Sequence, residues 1–286
     1  MTDPVTRQAH AKANLFLRVL AREADGYHGI ETLFCRLELA DTLTGSRTAE
    51  PGVTLEVEGA DTGPSEENLA VRAARLVLEA SKERFGVHFS LTKRIPVGGG
   101  LGGGSADAAA ALEIVNALGG NAIPRAELLH LASRLGADVP FCLSDASLAL
   151  GWSHGERMLA LPPLPRAPVL LVTPAIPVST AQAYAWVDEA RATAGRRGAL
   201  VLDGPALAGW SDIARMAGND FESVVFGRFP AVREAFEALA RTRPLLCRMS
   251  GSGSTLFAVY RNDGDREDAR MMLGKKHGTV TPTSTV

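Results

Sequence analysis

Residues 96–110 read Pro96-Val97-Gly98-Gly99-Gly100-Leu101-Gly102-Gly103-Gly104-Ser105-Ala106-Asp107-Ala108-Ala109-Ala110. Six of the seven residues from Gly98 to Gly104 are glycine, where a flexible turn needs one or two, and glycine of this density carries a backbone entropy cost that asks for a reason. The run follows a stretch of strand character at 87–95 and opens an alanine-rich helical pattern closed by Gly119 and Gly120. Amides without side chains approach an anion closely, and a helix start adds unpaired N–H groups and a favourable dipole. Pro96, Val97, the glycines with Leu101, and Ser105 and Ala106 therefore read as a phosphate cradle between a strand and a helix.

The surroundings exclude two common phosphate loops. G-x-G-x-x-G occurs at Gly98, Gly100 and Gly103, yet a dinucleotide site needs a second strand after the helix, ending in an acidic residue roughly twenty positions on. Here a loop at 119–126 leads into another helical pattern at 125–135. The lysine-bearing loop G-x-x-x-x-G-K-[ST] is absent, because Ser105 follows Gly104 directly. Backbone amides would hold the anion, with the Ser105 hydroxyl available for Mg²⁺ or phosphate.

Working outward, β-formers alternate with polar residues at 13–19, 30–39 and 53–58, the first two joined by the turn-rich Asp25-Gly26-Tyr27-His28-Gly29. Residues 69–85 carry apolar positions Leu69, Ala73, Leu76, Val77 and Ala80 at a helical period. Pro162, Pro163 and Pro165 mark a linker that neither a helix nor a central strand would continue, and divide the chain at 1–163 and 164–286. Beyond it come a strand at 168–172, helices at 180–194, 220–226 and 231–241, a strand or loop at 247–260 and a helix at 265–273. Residues 195–209 read as irregular and the tail after Lys276 as disordered. The class is α+β.

Composition narrows the function classes. Thirty Lys and Arg against 32 Asp and Glu give a net charge of −2 over 286 residues, so there is no global footprint for nucleic acid. Hydrophobic residues at 46% and charged residues at 22% exclude global disorder and a coiled coil. Cys35, Cys142 and Cys247 are odd in number and far apart, which supports neither a disulfide framework nor a zinc cluster and fits a reducing cytoplasm. The N-terminus lacks the apolar core of a signal peptide. The longest apolar run, 167–178, is broken by three prolines and is too short to span a bilayer, so no membrane partner is expected.

PVGGGLGGGSADAAA at 96–110, AKANLFLRV at 11–19 and MSGSGSTLFAVY at 249–260 resemble, in order, the second, first and third motifs of the GHMP kinases, which phosphorylate small metabolites. The resemblance implies a two-lobed fold, with an N-terminal lobe like the second domain of ribosomal protein S5 and a ferredoxin-like C-terminal lobe. It also implies ATP and Mg²⁺ in the cleft between them. DGYHGIETLFCRLELADTL at 25–43 and GADVPF at 136–141 resemble the branch whose acceptor is a CDP-linked methylerythritol, in the non-mevalonate isoprenoid pathway. There are departures: Gly29 stands where the family more often has an acidic residue, and His10 where a proline is more usual.

Phosphoryl transfer to an alcohol asks for positioning, charge neutralisation and a base. Asp138 reads by itself as an N-cap or turn residue ahead of Pro140; the resemblance makes it the catalytic base. Lys12, one of five lysines, reads by itself as a solvated strand end; the resemblance puts it beside the aspartate and the acceptor hydroxyl, where a cation favours an alkoxide-like transition state. Tyr27 offers a face for stacking and His28 polar atoms for a base edge. By resemblance Tyr27 stacks on cytosine, His28 recognises it and Asn14 bonds near the acceptor sugar. Thr180 and Tyr184 complete the pocket, although Tyr184 is equally a core residue.

Ser105 is the candidate Mg²⁺ ligand, and Asn68 and Lys93 are candidates for an adenine pocket. Asn219 and Glu222 have capping-box spacing, and Gly251 and Gly253 suit a turn or a close backbone approach. His10, His88, His130, His154 and His277 show no ligand spacing. A homoserine- or mevalonate-type kinase, or a non-catalytic sensor on the same fold, stay open as alternatives. A small molecule is the expected partner, and a monomer and a homodimer both suit the pattern.

Overall fold

The strand patterns near the N-terminus belong to two strands far longer than their alternation suggests. A computed structural model describes residues 3–24, 26–83, 85–191, 203–204 and 207–286. Among these the order is β1 (Val5–Arg22), β2 (His28–Thr48), β3 (Val53–Glu58), α1 (Leu69–Ser81), β4 (Gly86–Thr92), α2 (Gly103–Leu118), α3 (Arg125–Leu135), α4 (Val139–Leu143), β5 (Leu148–Ser153) and β6 (Arg157–Leu161). Then follow β7 (Pro168–Thr173), α5 (Thr180–Arg191), α6 (Trp210–Met216), α7 (Asp220–Arg228), α8 (Pro230–Ala240), β8 (Leu246–Met249), β9 (Leu256–Val259), α9 (Asp263–Leu273) and β10 (Thr279–Ser284). Two compact units interleave along this order. One takes Met1–Lys12, Leu39–Val97 and Gly102–Asp145, the other Ala13–Glu38, Gly98–Leu101 and Ala146–Val286.

In the first unit the later part of β2 pairs antiparallel with β4, and β3 pairs parallel with β4. A parallel pair needs a crossover, which α1 supplies. Asn68 starts α1 by accepting the Ala70 N–H at 2.9 Å, satisfying one of the donors a helix start leaves open. α2 packs against α1, α3 and α4. Ala106, Ala108, Ala109, Ala110 and Ala111 are all buried, and a helix that is apolar on nearly every face belongs in a core. Small side chains let its neighbours approach closely around Val77, Phe89, Leu112, Ile114 and Val139.

In the second unit the first part of β2 pairs antiparallel with β5, which forms a hairpin with β6. A separate antiparallel sheet has the order β10-β7-β9-β8. Leu170, Val172, Leu256 and Ala258 from its central strands pack with Val187, Val225, Val232 and Leu239 from the covering helices.

The expected disordered tail is a strand. β10 pairs along its whole length with β7, from Thr279 opposite Thr173 to Ser284 opposite Pro168. Beyond it, the Thr285 N–H donates to the Ala167 carbonyl at 2.9 Å, and its hydroxyl accepts the Ala167 N–H at 3.0 Å. In TVTPTST a threonine stands at every second position from Thr279 to Thr285, threonine and Val280 are β-formers, and Pro282 is tolerated at a sheet edge. Helix α6, strands β5 and β6, and the short α4 also lay outside the sequence reading. Of the stretch at 195–209 only 203–204 and 207–209 are described. Residues 192–194 of the helix expected at 180–194, and Asp25 of the turn, lie outside the described residues as well.

Candidate active site

Lys12 lies inside β1, not at a solvated strand end, and its side chain is only 4% exposed. A buried ammonium needs a partner, and Asp138 provides it, with Nζ 3.2 Å from Oδ2. Asp138 occupies the N-cap position of α4 with helical backbone angles, φ −84° and ψ −16°, and its side chain caps nothing. Pro140 sits within the first turn, where it has no N–H to leave unpaired. The sequence thus builds a helix start whose carboxylate is turned to Lys12 rather than to the helix amides.

The start of α2 closes on the same pair. Gly102 is its N-cap, with φ +70°, and the Ala106 N–H donates to the Gly102 carbonyl at 2.8 Å. Gly103, Gly104 and Ser105 therefore stand in the first turn, whose N–H groups find no carbonyl within the helix. A Cβ on Gly102 would lie 3.0 Å from both Cγ and Cε of Lys12. Lys12, Asp138 and the amide-rich helix start are thus neighbours within the first unit. Gly104 is exposed, and Ser105 is half-buried.

Within the second unit, Gly98, Gly99, Gly100 and Leu101 rest on the loop between β8 and β9. Ser250 Oγ donates to the Gly100 carbonyl at 2.9 Å, and the Thr255 N–H donates to the Gly99 carbonyl at 3.3 Å. Gly100 has φ +78°, and any Cβ there would overlap the Ser250 carbonyl oxygen. Of the two third-motif glycines, Gly251 approaches this loop, since a Cβ on it would stand 3.2 Å from the Gly100 carbonyl oxygen, whereas one on Gly253 would meet the Met249 side chain.

Asn219 organises the same loop. Its Oδ1 accepts the Phe221 N–H at 2.9 Å as a cap of α7, and its Nδ2 donates to the Met249 and Gly251 carbonyls at 2.8 and 2.7 Å. The reciprocal half of the capping box goes elsewhere, because Glu222 accepts the Met249 N–H at 2.9 Å instead. Burial raises the Glu222 carboxyl above its ordinary range, against that hydrogen bond and the nearby Arg248.

The candidate base pocket also lies in the second unit. The His28 and Tyr184 rings stack with centroids 5.0 Å apart and planes 12° from parallel, and the Tyr184 ring meets Phe221 edge-on at 5.0 Å. Tyr184 thus has both a core contact and a contact with His28. His28 is buried, and its Nε2 lies 2.8 Å from Asp188 Oδ1. Tyr27 is 68% exposed, its ring 5.4 Å from that of His154. Thr180 Oγ1 is 2.8 Å from Ser252 Oγ. Asn14 Oδ1 accepts the Gly251 N–H at 3.1 Å, and Nδ2 donates to Thr32 Oγ1 at 2.8 Å.

Asp188 and Ser252 escaped the sequence reading. A signal for Asp188 was present: Thr180, Tyr184 and Asp188 fall at i, i+4 and i+8 of α5 and share one helix face. The two adenine candidates are held by protein groups. Asn68 caps α1, and Lys93 Nζ is buried between Asp41 and Asp107. Among the described residues no group of three His, Cys, Asp or Glu could hold a metal ion. A serine or threonine hydroxyl beside a glycine-rich phosphate loop can ligate nucleotide-bound Mg²⁺, whose shell substrate phosphates and water largely complete, and the half-buried Ser105 hydroxyl in the first turn of α2 fits that role.

Fold and constellation together define a small-molecule kinase that uses ATP. The GHMP kinases N terminal domain matches residues 68–146 and the GHMP kinases C terminal domain residues 205–279, and the chain belongs to the GHMP kinases. It is 40% identical over 279 residues to 4-diphosphocytidyl-2-C-methyl-D-erythritol kinase of Solibacter usitatus, covering 94% of this chain and 87% of that one. The enzyme of the same name from Pelotomaculum thermopropionicum is 39% identical, with 96% and 94% covered. A crystal structure of 4-(cytidine 5'-diphospho)-2C-methyl-D-erythritol kinase superposes with a TM-score of 0.81 at 34% identity, covering 98% of this chain and 99% of that one. Homoserine kinase from Cytophaga hutchinsonii, at 22% identity and a TM-score of 0.72, shares the fold.

Proposed function

We propose that this chain transfers the γ-phosphoryl group of ATP to a hydroxyl of 4-diphosphocytidyl-2-C-methyl-D-erythritol, giving the 2-phosphate, as a step of the non-mevalonate isoprenoid pathway. The observation that carries the reading is the Lys12–Asp138 pair at 3.2 Å, beside the amide-rich start of α2. Asp138 accepts the proton of the acceptor hydroxyl as its oxygen attacks in line. Lys12 offsets the negative charge that gathers on the attacking oxygen. The amides and backbone of residues 96–106 hold the nucleotide phosphates, and no covalent phospho-enzyme forms.

Ser105 would hold the Mg²⁺ that accompanies the nucleotide, and the ion would supply charge neutralisation at the phosphates. Tyr27, His28, Thr180 and Tyr184 hold the cytidine end of the acceptor, and Asn14 lies near its sugar. In motif terms, residues 1–163 carry the nucleotide loop and the base, and residues 164–286 the third motif. No helix of the described residues is long and apolar enough to cross a membrane, and we place the enzyme in the cytoplasm.

Purified protein mixed with ATP, Mg²⁺ and the CDP-linked methylerythritol releases ADP in step with acceptor consumption. No ADP release with this acceptor sinks the assignment. CDP competes with the acceptor, whereas a kinase for homoserine or mevalonate ignores it.

A further inference from the structure

Lys93, Asp41 and Asp107 form a buried ion cluster that the proposed chemistry does not use. Lys93 follows β4 directly, and its Nζ donates to Asp41 Oδ2 and, at 2.7 Å, to Asp107 Oδ2. All three side chains are at most 3% exposed. Asp41, on β2, also accepts the backbone N–H groups of Arg94 at 2.5 Å and Ile95 at 2.8 Å. Asp107 sits in the second turn of α2, and its Oδ1 is buried with no partner among the described residues.

The two ends of the glycine-rich segment meet at this cluster. Residues 93–95 enter the segment and are held by Asp41. Residues 103–107 leave it and are held to Lys93 through Asp107. The approach is tight, since a Cβ on Gly103 would stand 3.3 Å from Lys93 Nζ and 3.0 Å from Ile95 Cγ2. A buried ion pair is weak evidence for stability, because desolvation offsets much of the attraction, while its geometry is demanding. Two carboxylates on one ammonium at such an expensive site therefore ask for a reason beyond cohesion.

We propose that Asp41, Lys93 and Asp107 are positioning residues that clamp the two stems of the nucleotide loop and so hold the first-turn amides of α2 in their phosphate-binding arrangement. The inference rests on the phosphate reading of residues 96–106. The cluster touches no reacting atom in this scheme and acts through the spacing of the stems. A loop of this glycine content has many conformations, and fixing its ends removes part of the ordering cost that nucleotide binding would otherwise meet.

The test is calorimetric titration of the full chain with a non-hydrolysable ATP analogue and, separately, with CDP. Asp107→Ala frees the helix stem and is expected to weaken analogue binding about tenfold or more, while CDP binding stays within about twofold. Asp107→Asn keeps an oxygen for Lys93 and is expected to restore most of the analogue affinity. A folded Asp107→Ala protein that binds the analogue like the parent overturns the clamp.

Hydrogen exchange on the unaltered protein decides the matter even where the alanine variant does not fold. The analogue is expected to slow exchange at the Arg94 and Ile95 amides together with those of 103–105. Protection at 103–105 without any at 94–95 overturns the clamp and leaves the phosphate reading standing. Protection at neither, with the analogue bound, overturns the phosphate reading itself.

Discussion

Lys12 Nζ lies 3.2 Å from Asp138 Oδ2, with the lysine almost wholly buried and the aspartate side chain 29% exposed. The asymmetry suits a base and its helper: the carboxylate stays reachable, while the cation that steadies it is fixed by strand β1. Asp138→Asn preserves shape and removes the proposed proton acceptor. It is expected to lower kcat by about 10²–10⁴-fold with nucleotide and CDP affinity nearly unchanged. Steady-state ADP release and analogue titration check this, and an unchanged kcat removes Asp138 from the chemistry.

The glycine loop should rank its own substitutions. Gly98→Ala, Gly100→Ala and Gly102→Ala share the strain of a positive φ, but their surroundings differ. Around Gly98 a Cβ meets nothing within 4 Å; at Gly102 it presses on Lys12, and at Gly100 it strikes the Ser250 carbonyl. Activity should therefore fall in the order Gly98→Ala mildest, Gly102→Ala through a displaced Lys12, and Gly100→Ala most severe, with the largest loss of Tm. Kinetics and thermal melts on the three proteins give the ranking directly. Equal effects at Gly98 and Gly100 contradict it.

Burial pushes the Asp107 carboxyl up to about 7 from its usual 3.8, against the pull of Lys93 and with a further push from Asp41. Between those values the folded chain holds a proton that the unfolded chain has released. This contribution to stability is accordingly full below about pH 4, declines as pH rises towards 7, and is gone above that. One such group tilts stability by up to about 1.4 kcal/mol per pH unit across the window. Urea unfolding from pH 5 to 8 should show the parent losing stability relative to Asp107→Asn up to about pH 7 and running parallel to it above. A constant difference across the range removes the titration of Asp107 from the explanation.

The C-terminal strand carries its own consequence. Removing residues 277–286 deletes the β10 ladder on β7 and both Thr285 bonds to Ala167. The truncated protein should melt about 5 °C lower or more, since about 1 kcal/mol moves Tm by roughly 2–4 °C in a chain of this size. A disordered tail would leave Tm where it was, so calorimetry separates the two.

Local rules made much of this molecule legible in its sequence. The glycine run between strand and helix marked the loop proposed to cradle phosphate, because few other demands concentrate glycine in that way. Helical period and caps placed α1, α2 and α3 within a few residues, and motif order assigned the chain to its family. Asp138 was less visible, since a short helix start offers an aspartate the same spacing whether it caps the helix or pairs with a distant cation. What separates the two roles is where the carboxylate turns, and that follows from a strand more than a hundred residues earlier in the chain.

Tertiary structure alone decided the rest, for the same reason. β10 gains its stability by pairing with a strand about a hundred residues away, so its six residues look like a tail when read locally. Asp188 is a partner of His28 only because α5 packs beside it, and Lys93 is the centre of an ion cluster because the fold brings Asp41 and Asp107 around it. Backbone conformation, caps and glycine requirements are short-range and are written in the sequence. The partner of a buried charge is set by which distant elements the core brings together, and no spacing along the chain encodes it.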